Sequence, residues 1–269
     1  MRKKIAGIIL LLVLPLTAPA ETLVLLQGYL GDEDYWRETG ITGMLAQQGW
    51  ADAGTLRSTR YGIRADRPQP GSNRRVYTMA LPSEAPLMVQ LRYLEQYLDV
   101  IYEFHPYESL LFAGHSAGGV LARLYMVMHP DKPVGALITF ASPHLGTDSA
   151  EIGAMAGNSP LGWIAPLIGG STLNRSKGLY YDLVRERPGS LLFWLNRQEH
   201  PASLYVAIVR NDDGLLNLGD LVVPAWSQDM NQVAALRGRA RKIVTPGGHG
   251  LSQQDGELLL QILRSHSQI

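Results

Sequence analysis

The sequence predicts an α/β fold, a mostly parallel sheet covered by helices on both faces, and three observations carry that expectation. Short apolar runs recur along the chain, at 22–26, 110–113, 134–140 and 204–209. Continuous apolar runs of this length suit strands buried on both faces, as parallel strands are. Between them stand longer segments with apolar residues three and four apart; Leu87, Leu91, Leu94, Leu98 and Ile101 form the clearest. Finally, the stretch 110–119 joins a strand pattern to a helix pattern through Gly114-His115-Ser116-Ala117-Gly118. A G-x-S-x-G turn at that junction forces the serine into strained backbone geometry and needs small flanking residues. It also lifts the hydroxyl clear of the sheet, at the positive end of a helix dipole.

Composition narrows the function. The 269 residues suffice for one sizeable core, and 24 basic against 24 acidic side chains leave no net charge. That balance argues against a nucleic-acid partner. The absence of cysteine rules out disulfides, a thiol nucleophile and thiolate metal sites. The 28 glycines and 16 prolines suggest many turns. At the N-terminus, Arg2, Lys3 and Lys4 precede an apolar run and then Thr17-Ala18-Pro19-Ala20. This is the pattern of a secretory signal over residues 1–20, too short for a comfortable membrane span. The expectation is a periplasmic or secreted protein whose mature part, 21–269, is a single domain starting directly before the first strand.

In chain order, the strand at 22–26 runs into Gln27-Gly28-Tyr29-Leu30-Gly31. A helix over 35–48 should stop at Gly49, followed by a strand within 50–56. The basic stretch holding Arg57, Arg60, Arg64, Arg67, Arg74 and Arg75 reads as a loop around Pro68 and Pro70, a surface that could meet anionic lipid headgroups. Pro86 opens the amphipathic helix, which ends near His105-Pro106. After the serine turn come a helix to His129-Pro130 and a strand at 134–140. Residues 148–203 then interrupt the strand–helix alternation for longer than a crossover needs. Its first part combines glycines with Ile152, Met155, Leu161, Trp163, Ile164, Leu167 and Ile168. A strand at 204–209, another at 241–245 and a helix over 254–264 close the chain. His249 sits among Gly247, Gly248 and Gly250, poorly placed for a core histidine. His105, His129 and His200 each precede a proline, His266 is in the tail, and His115 occupies the variable position of the pentapeptide.

Strand, serine turn and helix together resemble the nucleophile elbow of the α/β-hydrolases. The chain is similar to their serine lipase and esterase branch, bacterial triacylglycerol lipases in particular. The resemblance implies Ser116 as nucleophile and His249 as base, in the chain order Ser, Asp, His. For the acid, Gly219-Asp220-Leu221-Val222-Val223-Pro224-Ala225-Trp226-Ser227 is similar to the family's Asp-x-Val-Val-Pro-x-x-Ser and favours Asp220, with Asp212 and Asp213 as competitors. The family's His-Gly-x-x-Gly turn is matched by 27–31, with Gln27 in place of the histidine, and implies an oxyanion hole from the backbone N–H groups of Tyr29 and Ala117. Ser142-Pro143-His144-Leu145-Gly146 resembles a turn that lines the pocket in that family, so His144 is not assigned to the triad. Residues 148–203 look like a lid. No cofactor or metal is implied. The expected partner is a lipid or small ester, with transient contact at a lipid interface and a folding helper as a further possibility. An acyltransferase, a thioesterase and a catalytically silent binding protein are the alternatives on the same scaffold.

Overall fold

The computed structural model describes residues 20–68, 71–106, 108–148, 169–211, 220 and 222–267. Its strands are β1 (Glu21–Leu26), β2 (Ala51–Thr59), β3 (Gly62–Ala65), β4 (Arg74–Met79), β5 (Leu110–His115), β6 (Val134–Phe140), β7 (Leu204–Asn211) and β8 (Ala240–Pro246). They form one sheet in the order β3-β2-β4-β1-β5-β6-β7-β8. β2 and β3 are antiparallel; the other neighbouring pairs are parallel. The helices are α1 (Tyr35–Glu38), α2 (Ile41–Gln47), α3 (Leu87–Phe104), α4 (Ala117–Met128), α5 (Gly169–Leu183), α6 (Leu191–Leu195), α7 (Ala225–Gln228) and α8 (Gln253–His266). This is the expected α/β architecture.

The central strands are apolar throughout because both faces are covered. In β1, Val24 and Leu26 join one core and Leu23 and Leu25 the other; in β5, Leu110 and Phe112 divide from Leu111 and Ala113 in the same way. That is the two-residue alternation of a strand expressed on two buried faces. The first core is closed by Leu87, Leu91, Leu94, Leu98 and Ile101 of α3, by Val120, Leu121 and Leu124 of α4, and by Leu179, Leu183, Leu192 and Leu195 of α5 and α6. The second is closed by Trp36, Ile41 and Leu45 of α1 and α2 and by Leu259, Ile262 and Leu263 of α8. At roughly 2 kcal/mol for each buried leucine-sized side chain, these faces outweigh any single polar contact.

Three expectations change. The helix read over 35–48 is two helices, because Gly40 takes a left-handed φ of 80° between them. The basic stretch is a hairpin: β2 runs on to Thr59, turns through Gly62, and returns as β3, while Arg74 and Arg75 open the interior strand β4. Most of its cations are paired, Arg57 with Glu33 and Asp66, Arg67 with Asp52, Arg74 with Glu21 and Arg75 with Glu108. Within 148–203, α5 and α6 belong to the domain core, whereas the apolar part read as a lid, 149–168, lies outside the described residues.

The junction of β5 and α4 is the tightest place in the fold. Ser116, between them, has φ 51° and ψ −125°, which few non-glycine residues adopt. A Cβ on Gly114 would stand 2.5 Å from the Cα of Gly119, and one on Gly118 would stand 2.5 Å from the carbonyl oxygen of Gln27 and 2.6 Å from that of Leu26. The obstacles are backbone, so neither position can relax by a rotamer change. Gly118→Ala is expected to destabilise the chain by about 3 kcal/mol. A urea melt with an unchanged midpoint would contradict this account of the elbow.

Candidate active site

The turn after β5, the β7–α7 connection and the turn after β8 all lie at the carboxyl edge of the sheet, and three side chains converge there. His249 Nε2 is 3.0 Å from Ser116 Oγ, and His249 Nδ1 is 2.8 Å from Asp220 Oδ2. The Asp220 side chain is 1% exposed and that of His249 21%. Asp220 Oδ1 accepts the N–H groups of Val222 at 2.8 Å and Val223 at 2.9 Å, and Oδ2 accepts Gln228 Nε2 at 3.0 Å. A carboxyl group whose other partners are all donors accepts a fourth hydrogen bond, from His249 Nδ1–H, so the imidazole presents its bare Nε2 to the serine hydroxyl. Ser116, Asp220 and His249 are thus brought together as expected. The competing Asp212 and Asp213 lie outside the described residues.

The turn after β1 passes directly beside the serine. A Cβ on Gly28 would lie 2.7 Å from Ser116 Cβ, which is why this position has none. Gln27, where the resemblance calls for histidine, is buried and donates through Nε2 to the Met79 carbonyl at 2.9 Å, tying the ends of β1 and β4 together. Tyr29 follows at the serine's edge. Ala117 opens α4, where a helix leaves its first N–H groups without intrahelical acceptors. The Tyr29 side chain reaches α5: its hydroxyl lies 2.6 Å from that of Tyr180, with the rings edge to face at 5.6 Å. Burial pushes the Tyr29 phenol well above its ordinary value.

His144 stands apart from the three. It is fully buried, with Nε2 3.1 Å from Thr139 Oγ1, and its carbonyl accepts Arg123 Nη2 at 3.2 Å and Asn196 Nδ2 at 3.1 Å. It is an internal strut between β6, α4 and α6. Burial lowers its basicity strongly, with Arg123 adding to the effect. Arg123, itself buried, is lowered to about 9 by desolvation, and its Nη2 donates to Asn196 Oδ1 at 2.6 Å, through which it is linked to Glu186.

Sequence reasoning missed the groups that hold these side chains in place. Arg210 on β7 makes a two-point ion pair with Asp255, at 2.7 and 2.8 Å, and both are buried. Its backbone N–H donates to Gln228 Oε1 at 2.8 Å, so Gln228 links it to Asp220. Asp255 also caps α8 in a reciprocal box with Ser252. His115, beside the serine, donates through Nε2 to the His249 carbonyl at 2.8 Å. Burial pushes its imidazole down to about 3, with the neighbouring His249 adding to the effect, so it is neutral. Only a fold could disclose the Arg210–Asp255 and His115–His249 contacts, which span 45 and 134 residues. Among the described residues, no set of three His, Cys, Asp or Glu side chains is arranged to hold a metal ion.

A family model for a PGAP1-like alpha/beta domain matches residues 80–151, the segment from the approach to α3 to just beyond β6. No curated protein matches the chain. Solved structures do. The lin2722 product of Listeria innocua shares 14% identity at a TM-score of 0.56, over 87% of this chain and 85% of that one. The mature lipase BlEst2 of Bacillus licheniformis shares 16% identity at a TM-score of 0.54, over 93% of each chain. A thermostable carboxyl esterase of Bacillus coagulans shares 11% identity at a TM-score of 0.51, over 94% of this chain and 92% of that one. At such identities the likeness speaks for architecture, and the strand order, the sharp serine turn and these alignments agree on one: the chain has the fold of the α/β-hydrolases.

Proposed function

We propose that this protein is a serine hydrolase that cleaves carboxylic esters of lipid-like substrates through an acyl-enzyme. The observation that carries the reading is the unbroken chain of contacts from Ser116 Oγ to His249 Nε2 at 3.0 Å and from His249 Nδ1 to Asp220 at 2.8 Å. A hydroxyl on a strained turn, with a bare imidazole nitrogen in reach, can lose its proton as it attacks a carbonyl carbon. His249 takes that proton, and Asp220 stabilises the imidazolium. The N–H groups of Tyr29 and Ala117 are proposed to hold the developing oxyanion. Collapse of the tetrahedral adduct breaks the ester C–O bond while His249 protonates the leaving alcohol. Water then attacks the acyl-enzyme by the same route, returning the proton to Ser116.

The choice of lipid-like esters rests on the surroundings. Tyr29, which follows the turn beside the serine, is half-buried against the first core together with Leu145, Tyr180 and Val184, and Tyr181 and Trp226 are exposed on α5 and α7. That a lipase and a carboxyl esterase have this fold supports the same choice. In this reading the apolar segment 149–168 covers the acyl chain, and residues 1–20 direct export to the periplasm or beyond, where the enzyme meets lipid interfaces. Among the described residues no helix is long and apolar enough to cross a membrane.

The test uses p-nitrophenyl esters from acetate to palmitate, with and without an emulsion. Wild-type turnover is expected to rise with chain length, and Ser116→Ala should lose both turnover and labelling by a fluorophosphonate. Turnover that survives in Ser116→Ala would overturn the mechanism; turnover limited to acetate would overturn the lipid-like substrate. Asp220→Asn keeps the shape but disturbs the imidazole tautomer, and should lower kcat by about 10⁴-fold. A loss below tenfold would remove Asp220 from the acid's role.

A further inference from the structure

The turn that carries His249 has little of its own to hold it. Glycines stand at 247, 248 and 250, and Gly247 takes φ 123°. Glycine gives such a turn the freedom to reach across the sheet edge, and the same freedom would let the imidazole wander. Yet three successive residues are each held from a different element. His115, at the end of β5, donates to the carbonyl of His249 at 2.8 Å. Arg210 of β7 donates to the carbonyl of Gly250 at 3.3 Å. The Tyr35 hydroxyl of α1 accepts the N–H of Leu251 at 3.1 Å.

His115 and Tyr35 also touch one another. The His115 ring lies 5.2 Å from that of Tyr35 and 5.0 Å from that of His249. His115 is 6% exposed and sits between the sheet and Ser116, whose backbone N–H is itself fixed to the Phe140 carbonyl at 2.9 Å. One end of one strand therefore sets both partners of the 3.0 Å contact: Ser116 directly, and His249 through its neighbour's ring. We infer that His115 and Tyr35 are positioning residues, a clamp that holds the His249 peptide so that Nε2 meets Ser116 Oγ. The inference rests on the reading of Ser116 and His249 as nucleophile and base. His115 suits the task because it donates a hydrogen bond without carrying a charge; a cation there would oppose the imidazolium that forms on His249.

The clamp is tested with His115→Leu, which keeps the bulk and deletes the donor, and His115→Gln, whose terminal N–H₂ restores one. On p-nitrophenyl butyrate, His115→Leu is expected to lower kcat by about 100-fold, with KM changed by less than about twofold. His115→Gln should recover to within about fivefold of wild type, and Tyr35→Phe should lower kcat by about threefold to tenfold by freeing Leu251 alone. The low-field proton resonance of His249 Nδ1–H, a spectroscopic mark of its bond to Asp220, should broaden or vanish in His115→Leu and persist in His115→Gln. A merely structural role would move thermal stability and leave that resonance and the split between kcat and KM intact. Wild-type kcat in His115→Leu, or equal losses in Leu and Gln, overturns the clamp. If the His115 variants do not fold, an unchanged kcat and resonance in Tyr35→Phe overturns it. If the wild type turns over no ester, it is the functional reading that fails, and the resonance still decides the clamp.

Discussion

The constraint on which the rest depends is the conformation of Ser116. A φ of 51° on a side-chain-bearing residue costs of order 1–3 kcal/mol and persists only where the surroundings permit nothing else. Here the surroundings are backbone. Gly114 and Gly119 touch across the turn, and Gly118 lies on the carbonyls that end β1. The Ser116 N–H is committed to Phe140, so β6 joins in. A covered parallel sheet supplies this rigidity because its strands are apolar on both faces and cannot shift without exposing one. The core is thus the reason a strained hydroxyl can be held, and the strain is the reason the hydroxyl faces outward.

Burial also sorts the charges around the site. His115 and His144 lose their positive forms because desolvation prevails, at His115 over the opposing pull of the His249 carbonyl and Asp220, and at His144 with Arg123 adding to it. Arg210, equally deep, is instead paired with Asp255 through two hydrogen bonds. Asp220 is buried too, yet it is surrounded by donors from Val222, Val223, Gln228 and His249. The outcome is a carboxyl group aimed at the imidazole of His249, which has water access, with the neutral His115 beside it. A positive charge arising on His249 then finds a stabilising partner on one side and no competing cation in contact.

Legibility in the sequence followed burial. Residues 22–26 and 134–140 were read as strands because every neighbour is apolar, and they match β1 and β6 to within a residue. β4 was not, although it lies inside the sheet: Arg74 and Arg75 open it, and their charge hid Val76, Tyr77 and Met79 behind them. β3 is a four-residue edge strand of alternating exposure; Ile63 and Ala65 lean on the first core with Arg64 between them, an alternation too short to read as a strand. At the site, Ser116 and His249 were legible from their glycine settings. Asp220 was legible through its Val-Val neighbour pair, and the structure gives the physical sense of that pattern, since those two valines donate their N–H groups to it. His115 was passed over because its partner is a backbone carbonyl 134 residues away, and a backbone acceptor has no sequence signature.

The same reasoning explains why His249 sits among glycines at all. The reason is backbone conformation rather than space: a Cβ on Gly247 would meet nothing within 4 Å and one on Gly250 only the Tyr35 hydroxyl at 3.8 Å, but Gly247 takes φ 123°. A glycine loop fits, but its conformational entropy is larger than that of any other composition and must be removed for the imidazole to have one position. The fold removes it from outside, residue by residue, through groups whose own places are set by the core: His115 on a strand buried along its whole length, Arg210 locked to Asp255, Tyr35 packed against the second core. Mobility is allowed where approach demands it and cancelled at the three peptides nearest the chemistry. A substitution anywhere in that supporting set would therefore disturb the site without touching Ser116, Asp220 or His249.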